Sequence, residues 1–386
     1  MEKLIPLSVP NFQGNELQYV TDAVGAGWVS TGGTYVNRFE KDIASYLHTP
    51  GAVACQSGTA ALHISLLLCG VTREDAVLVP ALTFIAAVNP VAYIGAEPIF
   101  MDCDAHLCMD PVKLEAFCRE ECHVENGHLI ENATGRCVKA MVVVHVFGDM
   151  ADMEALMRVA EAYNILVIED ATEAIGTYYT QGRFAGKFAG TIGTIGALSF
   201  NGNKIVTTGG GGMIISMDES LLAHAKHLTT QAKADELYYI HDEIGFNYRM
   251  TNVQAALGVA QMEQLDTFIE TKWRNYAQYR QAVSEIPGLR LLDVRENTRS
   301  NRWFYALYLE DEYSLNRDEL IQHLAKEQIQ ARPIWGLICD QKPYSTCRQY
   351  QIETAREYYQ HVVNIPCSTN LTAEDVARVA LCLKGR

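Results

Sequence analysis

No run of about 18 apolar residues, the length needed to span a bilayer as a helix, occurs anywhere in this chain. A transmembrane segment is therefore not expected. The opening Met-Glu-Lys-Leu-Ile-Pro also lacks the apolar stretch of a secretory signal, so the expectation is a cytoplasmic protein with no membrane partner. In that setting Asn132-Ala133-Thr134 carries no meaning as a glycosylation acceptor. Positive charge is scarce: 31 Lys and Arg stand against 46 Asp and Glu, giving a net charge of −15. That balance argues against nucleic acid as the default partner and requires any anionic ligand to be held by local groups. Paired cysteine spacing is missing as well. The 11 cysteines are odd in number and none form C-x-x-C, so they read as buried free thiols in a reducing compartment. Five of them (Cys103, Cys108, Cys118, Cys122 and Cys137) fall near His106, His123 and His128. No repeated pair spacing links them, so no metal is expected, and a zinc module here stays as a rival reading. Internal repeats and low-complexity tracts are also absent.

What is present is a chain of 386 residues, 48% hydrophobic and 20% charged, long enough for two domains. Short apolar runs alternate with helical patterns. Strands are expected at Ala52–Cys55, Ala76–Pro80, Ile99–Cys103, Ala140–Phe147, Ile165–Asp170, Thr191–Phe200 and Gly212–Met217. Helices are expected at Ala60–Leu68, Ile85–Ile94, Pro111–Cys122, Met150–Tyr163 and Leu221–Leu228. This alternation implies a doubly wound, mostly parallel sheet, whose ligands sit beyond the carboxyl ends of its strands. Thr251–Ile286 reads as one long helix with a possible break at Gly258. The domain boundary is placed inside it, giving a large domain 1–264 and a smaller α/β domain 265–386. In the latter, Leu289–Val294, Arg302–Leu309 and Ala331–Trp335 read as strands and Arg317–Ile329 as a helix. Thr372-Ala373-Glu374-Asp375 resembles a capping box opening the last helix.

Three local features carry chemistry. Ser199–Gly212 holds one lysine, Lys204, on an Asn-Gly-Asn turn followed by four glycines, Gly209 to Gly212. Such glycines suit a close approach of backbone to a ligand, whereas the bland reading is a hairpin with a solvated lysine. Gln56-Ser57-Gly58-Thr59 joins a strand to a helix, which points backbone N–H groups and two hydroxyls at one spot. This is equally a phosphate site or a plain N-cap. Asp170 closes an apolar strand at the ligand end, as either a cap or a functional group. Each feature is weak alone. Together they are what a cofactor with a phosphate, an aldehyde and a ring nitrogen requires, and pyridoxal 5′-phosphate (PLP) is that cofactor.

The stretches Gln-Ser-Gly-Thr-Ala-Ala-Leu (56–62), Thr-Phe-Ile-Ala (83–86), Glu-Asp-Ala-Thr-Glu-Ala (169–174), Ser-Phe-Asn-Gly-Asn-Lys (199–204) and Gly-Phe-Asn-Tyr-Arg-Met-Thr-Asn (245–252) carry a resemblance. The chain resembles the DegT/StrS-type nucleotide-sugar aminotransferases, within the fold-type I PLP enzymes. It is most similar to their bacillosamine and legionaminic acid branch. The resemblance implies amino transfer from L-glutamate to C4 of a UDP-linked 2-acetamido-4-keto-2,6-dideoxy sugar, in a homodimer with shared active sites. It implies that Lys204 forms a Schiff base with the cofactor and later shuttles the proton, while Asp170 pairs with the pyridinium nitrogen. Ser57, Gly58, Thr59 and Ser199 fall at the phosphate, with Asn247 reaching it from the other subunit. Phe84 would stack on the ring. Glu173, where many members carry Gln or His, falls near the ring hydroxyl. Thr207-Thr208-Gly209-Gly210 replaces the commoner Gly-Glu-Gly pattern. Arg249 and Arg332 are candidates for gripping anionic groups, and Trp335 for lining the sugar or uridine pocket; salt bridges and core packing are their bland alternatives.

Rival readings stay in view. A different nucleotide sugar, dTDP-linked or with its ketone at C3, would differ by a few contacts. A related sugar dehydratase has His where Lys204 stands, which argues against it. A catalytically silent PLP-fold regulator would tolerate loss of Lys204.

Overall fold

The computed structural model describes residues 3–384. A large sheet organises most of the chain, in the spatial order Gly51–Cys55, Gly212–Ser216, Ile195–Ser199, Leu166–Asp170, Cys137–Val144, Asp75–Pro80, Glu97–Met101 and Gln349–Tyr350. Gly212–Ser216 alone runs antiparallel to both of its neighbours; the other pairings along this order are parallel. Strands such as Val77–Val79 and Val142–Val143 are fully buried, as expected of a sheet with helices on both faces. The mixed α/β fold with one large, mostly parallel sheet is therefore as the alternating pattern implied. A second, antiparallel sheet joins Leu289–Leu291, Tyr305–Leu309, Val362–Ile365 and Arg332–Pro333. Its apolar cluster is built from residues such as Tyr279, Leu307, Leu324 and Val379, and also takes in Ile5 from the other end of the chain. No helix among the described residues is long and apolar enough to cross a membrane.

Several elements differ from the expectation, each for a physical reason. The helix 251–286 is two helices, Asn252–Met262 and Leu265–Val283, parted at Glu263–Gln264 rather than at Gly258. Gly258 lies mid-helix, where an added Cβ would come within 2.6 Å of the Phe39 ring. The glycine admits an aromatic side chain between two helices and breaks nothing. Pro90, in the first turn of Asn89–Ile94, separates that helix from a short 3-10 turn at Ile85–Ala87. The helix expected over Pro111–Cys122 ends at Glu120, and Cys122–Glu125 pairs with His128–Glu131 in a hairpin, so Cys118, Cys122 and Cys137 fall on three separate elements. Cys55, Cys69, Cys103, Cys108, Cys118, Cys122, Cys339 and Cys367 are buried thiols. The last helix, Ala373–Leu383, opens with the expected capping box, Thr372 and Asp375 bonding reciprocally.

Candidate active site

A cavity of about 360 Å³ opens at the carboxyl ends of the parallel strands. Ser57, Gly58, Thr59, Phe84, Asp170, Glu173, Ser199, Lys204 and Trp335 all line it. Residues from Ser57 to Lys204 meet here because strand ends of the large sheet converge, and Trp335 joins them from beside the smaller sheet.

The wall at Ser57–Thr59 begins with Ser57, whose Oγ accepts the Ala60 N–H at 3.1 Å and caps the helix Gly58–Leu68. The N-cap reading thus holds, and it leaves the Gly58 and Thr59 N–H groups at a first turn that has no intrahelical partners for them. Gly58 is seated directly on Ser199: an added Cβ would lie 2.8 Å from Ser199 Cβ. Gly212 is packed equally hard, since its Cβ would meet the Ser57 carbonyl at 2.4 Å. Two glycines therefore bring the helix N-terminus and the Ser199 hydroxyl to the same spot. Of the four glycines only Gly212 is pressed against backbone: an added Cβ at Gly209 would meet nothing within 4 Å, and one at Gly211 would meet the Thr208 and Met250 side chains.

Asp170 ends its strand with only 3% of its surface exposed. Oδ1 accepts the Thr172 N–H at 3.0 Å. Burial raises the carboxyl above its usual range, opposed by the Thr172 hydrogen bonds and by Lys204. Such a group is best satisfied by a cationic N–H donor.

Lys204 sits on the turn whose backbone closes from Lys204 N–H to Asn201 O at 3.0 Å. Its Nζ lies 3.5 Å from Glu173 Oε1 and 4.1 Å from the centre of the Trp303 ring. The second Glu173 oxygen accepts the Phe147 N–H at 2.8 Å. Phe147 holds left-handed backbone, φ 56°, which a bulky residue adopts only under constraint. The strand expected to run to Phe147 stops at Val144, and Val146–Gly148 is a 3-10 turn instead. Burial pushes the Glu173 carboxyl from its usual 4.5 up to about 7, with Lys204 acting in the opposite direction.

That shift predicts a pH effect. Between pH 4.5 and about 7 the folded protein holds a proton on Glu173 that the unfolded chain has released, so stability falls as pH rises through this window. In the cofactor-free protein, Glu173→Gln is expected to remove this loss. Denaturant unfolding at pH 5 and pH 8 should show the variant gaining on wild type by about 3 kcal/mol, each pKa unit being worth ~1.4 kcal/mol. Parallel pH profiles would contradict it.

Sequence reasoning missed one side of the cavity. Trp303 and Phe304 line it, from a segment read as the start of a strand. The strand begins only at Tyr305, because Asn301 and Arg302 are held in a locked turn and Arg302 has φ 53°. Asn301 Nδ2 donates to the Glu173 and Ile175 carbonyls, both at 2.9 Å, and its Oδ1 accepts the Trp303 N–H at 2.9 Å. Trp303 Nε1 donates to Asn203 O at 2.8 Å, tying the indole to the lysine turn. Phe304 stacks on Trp303 at 4.0 Å, and Phe147 lies 4.7 Å from Trp335. No local pattern announces this wall. The run Trp303-Phe304 after two polar residues was the only available signal.

Three of the proposed site residues do not line the cavity. Arg332 is exposed and pairs through its backbone with Asn364. Asn247 is exposed beside Thr230. Arg249 bonds weakly to Gln231 Oε1 and Asn247 Oδ1, both at 3.5 Å, and its buried Nε has no hydrogen-bond partner. Asn247 and Arg249 follow an exposed apolar segment in which Leu237, Tyr238, Tyr239 and Ile244 are each more than 70% exposed.

The donor set fits PLP on its own chemistry. An amine, a buried carboxylate without a cationic N–H partner, and a helix N-terminus backed by a hydroxyl face one cavity.

Comparison with known proteins agrees. A model of the DegT/DnrJ/EryC1/StrS aminotransferase family matches residues 10–384. The GDP-perosamine synthase of Caulobacter vibrioides is 36% identical over 98% of this chain and 97% of its own length. The UDP-4-amino-4,6-dideoxy-N-acetyl-beta-L-altrosamine transaminase of Campylobacter jejuni is 27% identical over 96% of this chain and 94% of its own. A crystal structure of a DegT DnrJ EryC1 StrS aminotransferase from Brucella abortus superposes with a TM-score of 0.86 at 25% identity, covering 96% of this chain and 95% of that one.

Proposed function

The chain belongs to the DegT/DnrJ/EryC1/StrS aminotransferase family, whose members depend on pyridoxal phosphate, and on that premise we propose that it moves an amino group from L-glutamate to C4 of a UDP-linked 2-acetamido-4-keto-2,6-dideoxyhexose. The observation that carries the reading is Lys204 Nζ in one cavity with the buried Asp170 carboxylate and the Gly58–Thr59 helix N-terminus.

When bound, the cofactor supplies an aldehyde that captures amines and a ring that draws electrons from the neighbouring carbon. The chain's own residues do the rest. The Gly58 and Thr59 N–H groups, the helix dipole and the Ser199 hydroxyl hold the phosphate. Asp170 accepts the ring N–H and keeps positive charge there. Phe84, at the cavity mouth, covers the ring. Lys204, on a flexible stem, takes the proton from the donor's α-carbon in one half-reaction and delivers one to the sugar's C4 in the other. Glu173 lies within reach of the same amine. Trp335, Trp303 and Phe304, with Phe147 packed behind Trp335, form an apolar wall that excludes water and suits the face of a sugar.

In the same reading the enzyme is a homodimer. Asn247 then completes the phosphate site of the partner, and the Arg249 guanidinium, whose terminal nitrogen lies 3.5 Å from Asn247 Oδ1, grips an anionic group there. Support comes from the exposed apolar side chains at residues 237–244, which precede both. Arg332 keeps the role of an anion grip at the edge of the smaller sheet.

A second reading, transfer to a GDP-linked sugar, is favoured by the 36% identity to a GDP-perosamine synthase. The test is mass spectrometry of products from UDP-, GDP- and dTDP-linked 4-keto sugars with glutamate and PLP. The proposal expects a carbonyl exchanged for an amine on the UDP substrate. Turnover of the GDP sugar alone selects the second reading, and no turnover with any sugar removes the amination assignment.

A further inference from the structure

A cluster far from the reaction chemistry in type, and unused by it, lies at the root of an exposed hairpin. The helix Glu219–Thr229 carries His224 and His227, three residues apart and therefore on one face. The two-stranded hairpin Lys233–Asp235/Ile240–His241 leads directly into Asp242 and Glu243, which fold back onto that face. His227 Nε2 lies 2.7 Å from Asp242 Oδ1 and 3.7 Å from Glu243 Oε1. His224 Nε2 lies 2.9 Å from Glu243 Oε1 and 3.1 Å from its Oε2. One ligating atom each from His227, Asp242 and Glu243 falls within 4.8 Å of the others.

We propose that His227, Asp242 and Glu243 form a binding site for a divalent transition-metal cation of the zinc type, with water completing its shell, that fastens the hairpin to the helix. The 2.7 Å and 3.7 Å separations from His227 Nε2 bracket the spacing a zinc shell needs. Zinc binds imidazole nitrogen and carboxylate oxygen at about 2.0–2.2 Å, so tetrahedral ligands stand roughly 3.3–3.5 Å apart. Imidazole with carboxylate selects zinc, nickel or cobalt over magnesium and calcium, which prefer oxygen alone. Charge points the same way. Asp242 and Glu243 are adjacent carboxylates in a chain of net charge −15, and among the described residues neither forms an ion pair with a Lys or Arg. A pair of solvated imidazole–carboxylate hydrogen bonds accounts for each distance singly. It does not account for one imidazole and two adjacent carboxylates converging with that charge left unmatched.

The consequence is mechanical. The hairpin presents Leu237, Tyr238 and Tyr239, each more than 70% exposed, and Asn247 follows Glu243 by four residues. A cation at the root fixes the direction in which this segment leaves the helix. The inference stands whether or not the sugar substrate is the one proposed above.

The test uses the PLP-loaded full chain, free of any affinity tag, stripped with a chelator and titrated with zinc chloride by calorimetry. One zinc per chain is expected at low micromolar concentration. Asp242→Asn, which keeps the side-chain shape, and His227→Ala are each expected to weaken binding by about tenfold or more. Zinc should also raise the thermal unfolding midpoint of wild type but not of the two variants, while leaving their visible absorbance unchanged. Several outcomes would overturn the proposal: no binding at tens of micromolar zinc, equal binding by both variants, or magnesium binding as tightly as zinc.

Discussion

Replacing Lys204 with alanine is expected to lower amino transfer by ~10⁴-fold or more, because one side chain is asked to do two jobs. In the proposed function it is both the nucleophile that anchors the cofactor aldehyde and the base that moves protons in the two half-reactions. The nearest other base is a carboxylate that cannot form the Schiff base. Glu173 Oε1 lies 3.5 Å from Nζ, but its second oxygen is committed to the Phe147 N–H, and Trp303 is apolar. The neighbours position the amine without replacing it. The mutation is also mild for the fold, since 13% of the lysine side chain is exposed and it sits on a turn rather than in the core. Single-turnover assays with glutamate, alongside circular dichroism, separate lost chemistry from lost structure. Substantial residual turnover in a folded K204A protein would point to another base, and retained function in the cell would revive the silent-regulator reading.

The second large effect is expected from Asp170→Asn. Removing one member of a buried charge pair costs about 3–5 kcal/mol, which corresponds to roughly 10²–10³-fold in rate at 1.4 kcal/mol per tenfold. The asparagine keeps the size of the side chain, and its oxygen can still accept the Thr172 N–H. What it loses is the negative charge facing the cavity. The unliganded carboxyl is raised above its usual range chiefly by burial. A cationic ring nitrogen brought against it would offset that penalty, so cofactor affinity should fall together with kcat. Absorbance titration with PLP and steady-state kinetics check the two halves separately. Near wild-type values for both would mean that Asp170 is only the cap of the Thr172 turn.

Lys204, Asp170 and the Ser57–Thr59 turn were legible in the sequence because each is announced locally. A lysine in an Asn/Gly turn, an acid closing an apolar run and a hydroxyl before a helix are short-range patterns. Strand alternation then predicts that they meet at one edge of the sheet. Trp303 could not be found that way. It reaches Lys204 from 99 residues further along, through a turn that Asn301 pins to the carbonyls of Glu173 and Ile175. The alternation of Arg302–Leu309 looked like a strand, but those tertiary hydrogen bonds outweigh its local preference and delay the strand to Tyr305. Gly258 was misleading for a similar reason. Its role depends on Phe39, more than 200 residues away, and nothing near it in sequence says so. The strained Phe147 backbone was equally invisible, being imposed by the Glu173 carboxylate and the aromatic cluster around it.

The central claim is a covalent attachment at one nitrogen. The direct measurement is borohydride reduction of the PLP-loaded protein, followed by digestion and peptide mass mapping. The account predicts a single pyridoxyl group fixed on Lys204, and none in K204A. A label on any other lysine, or no label on a protein that binds PLP and transfers amino groups, would contradict it.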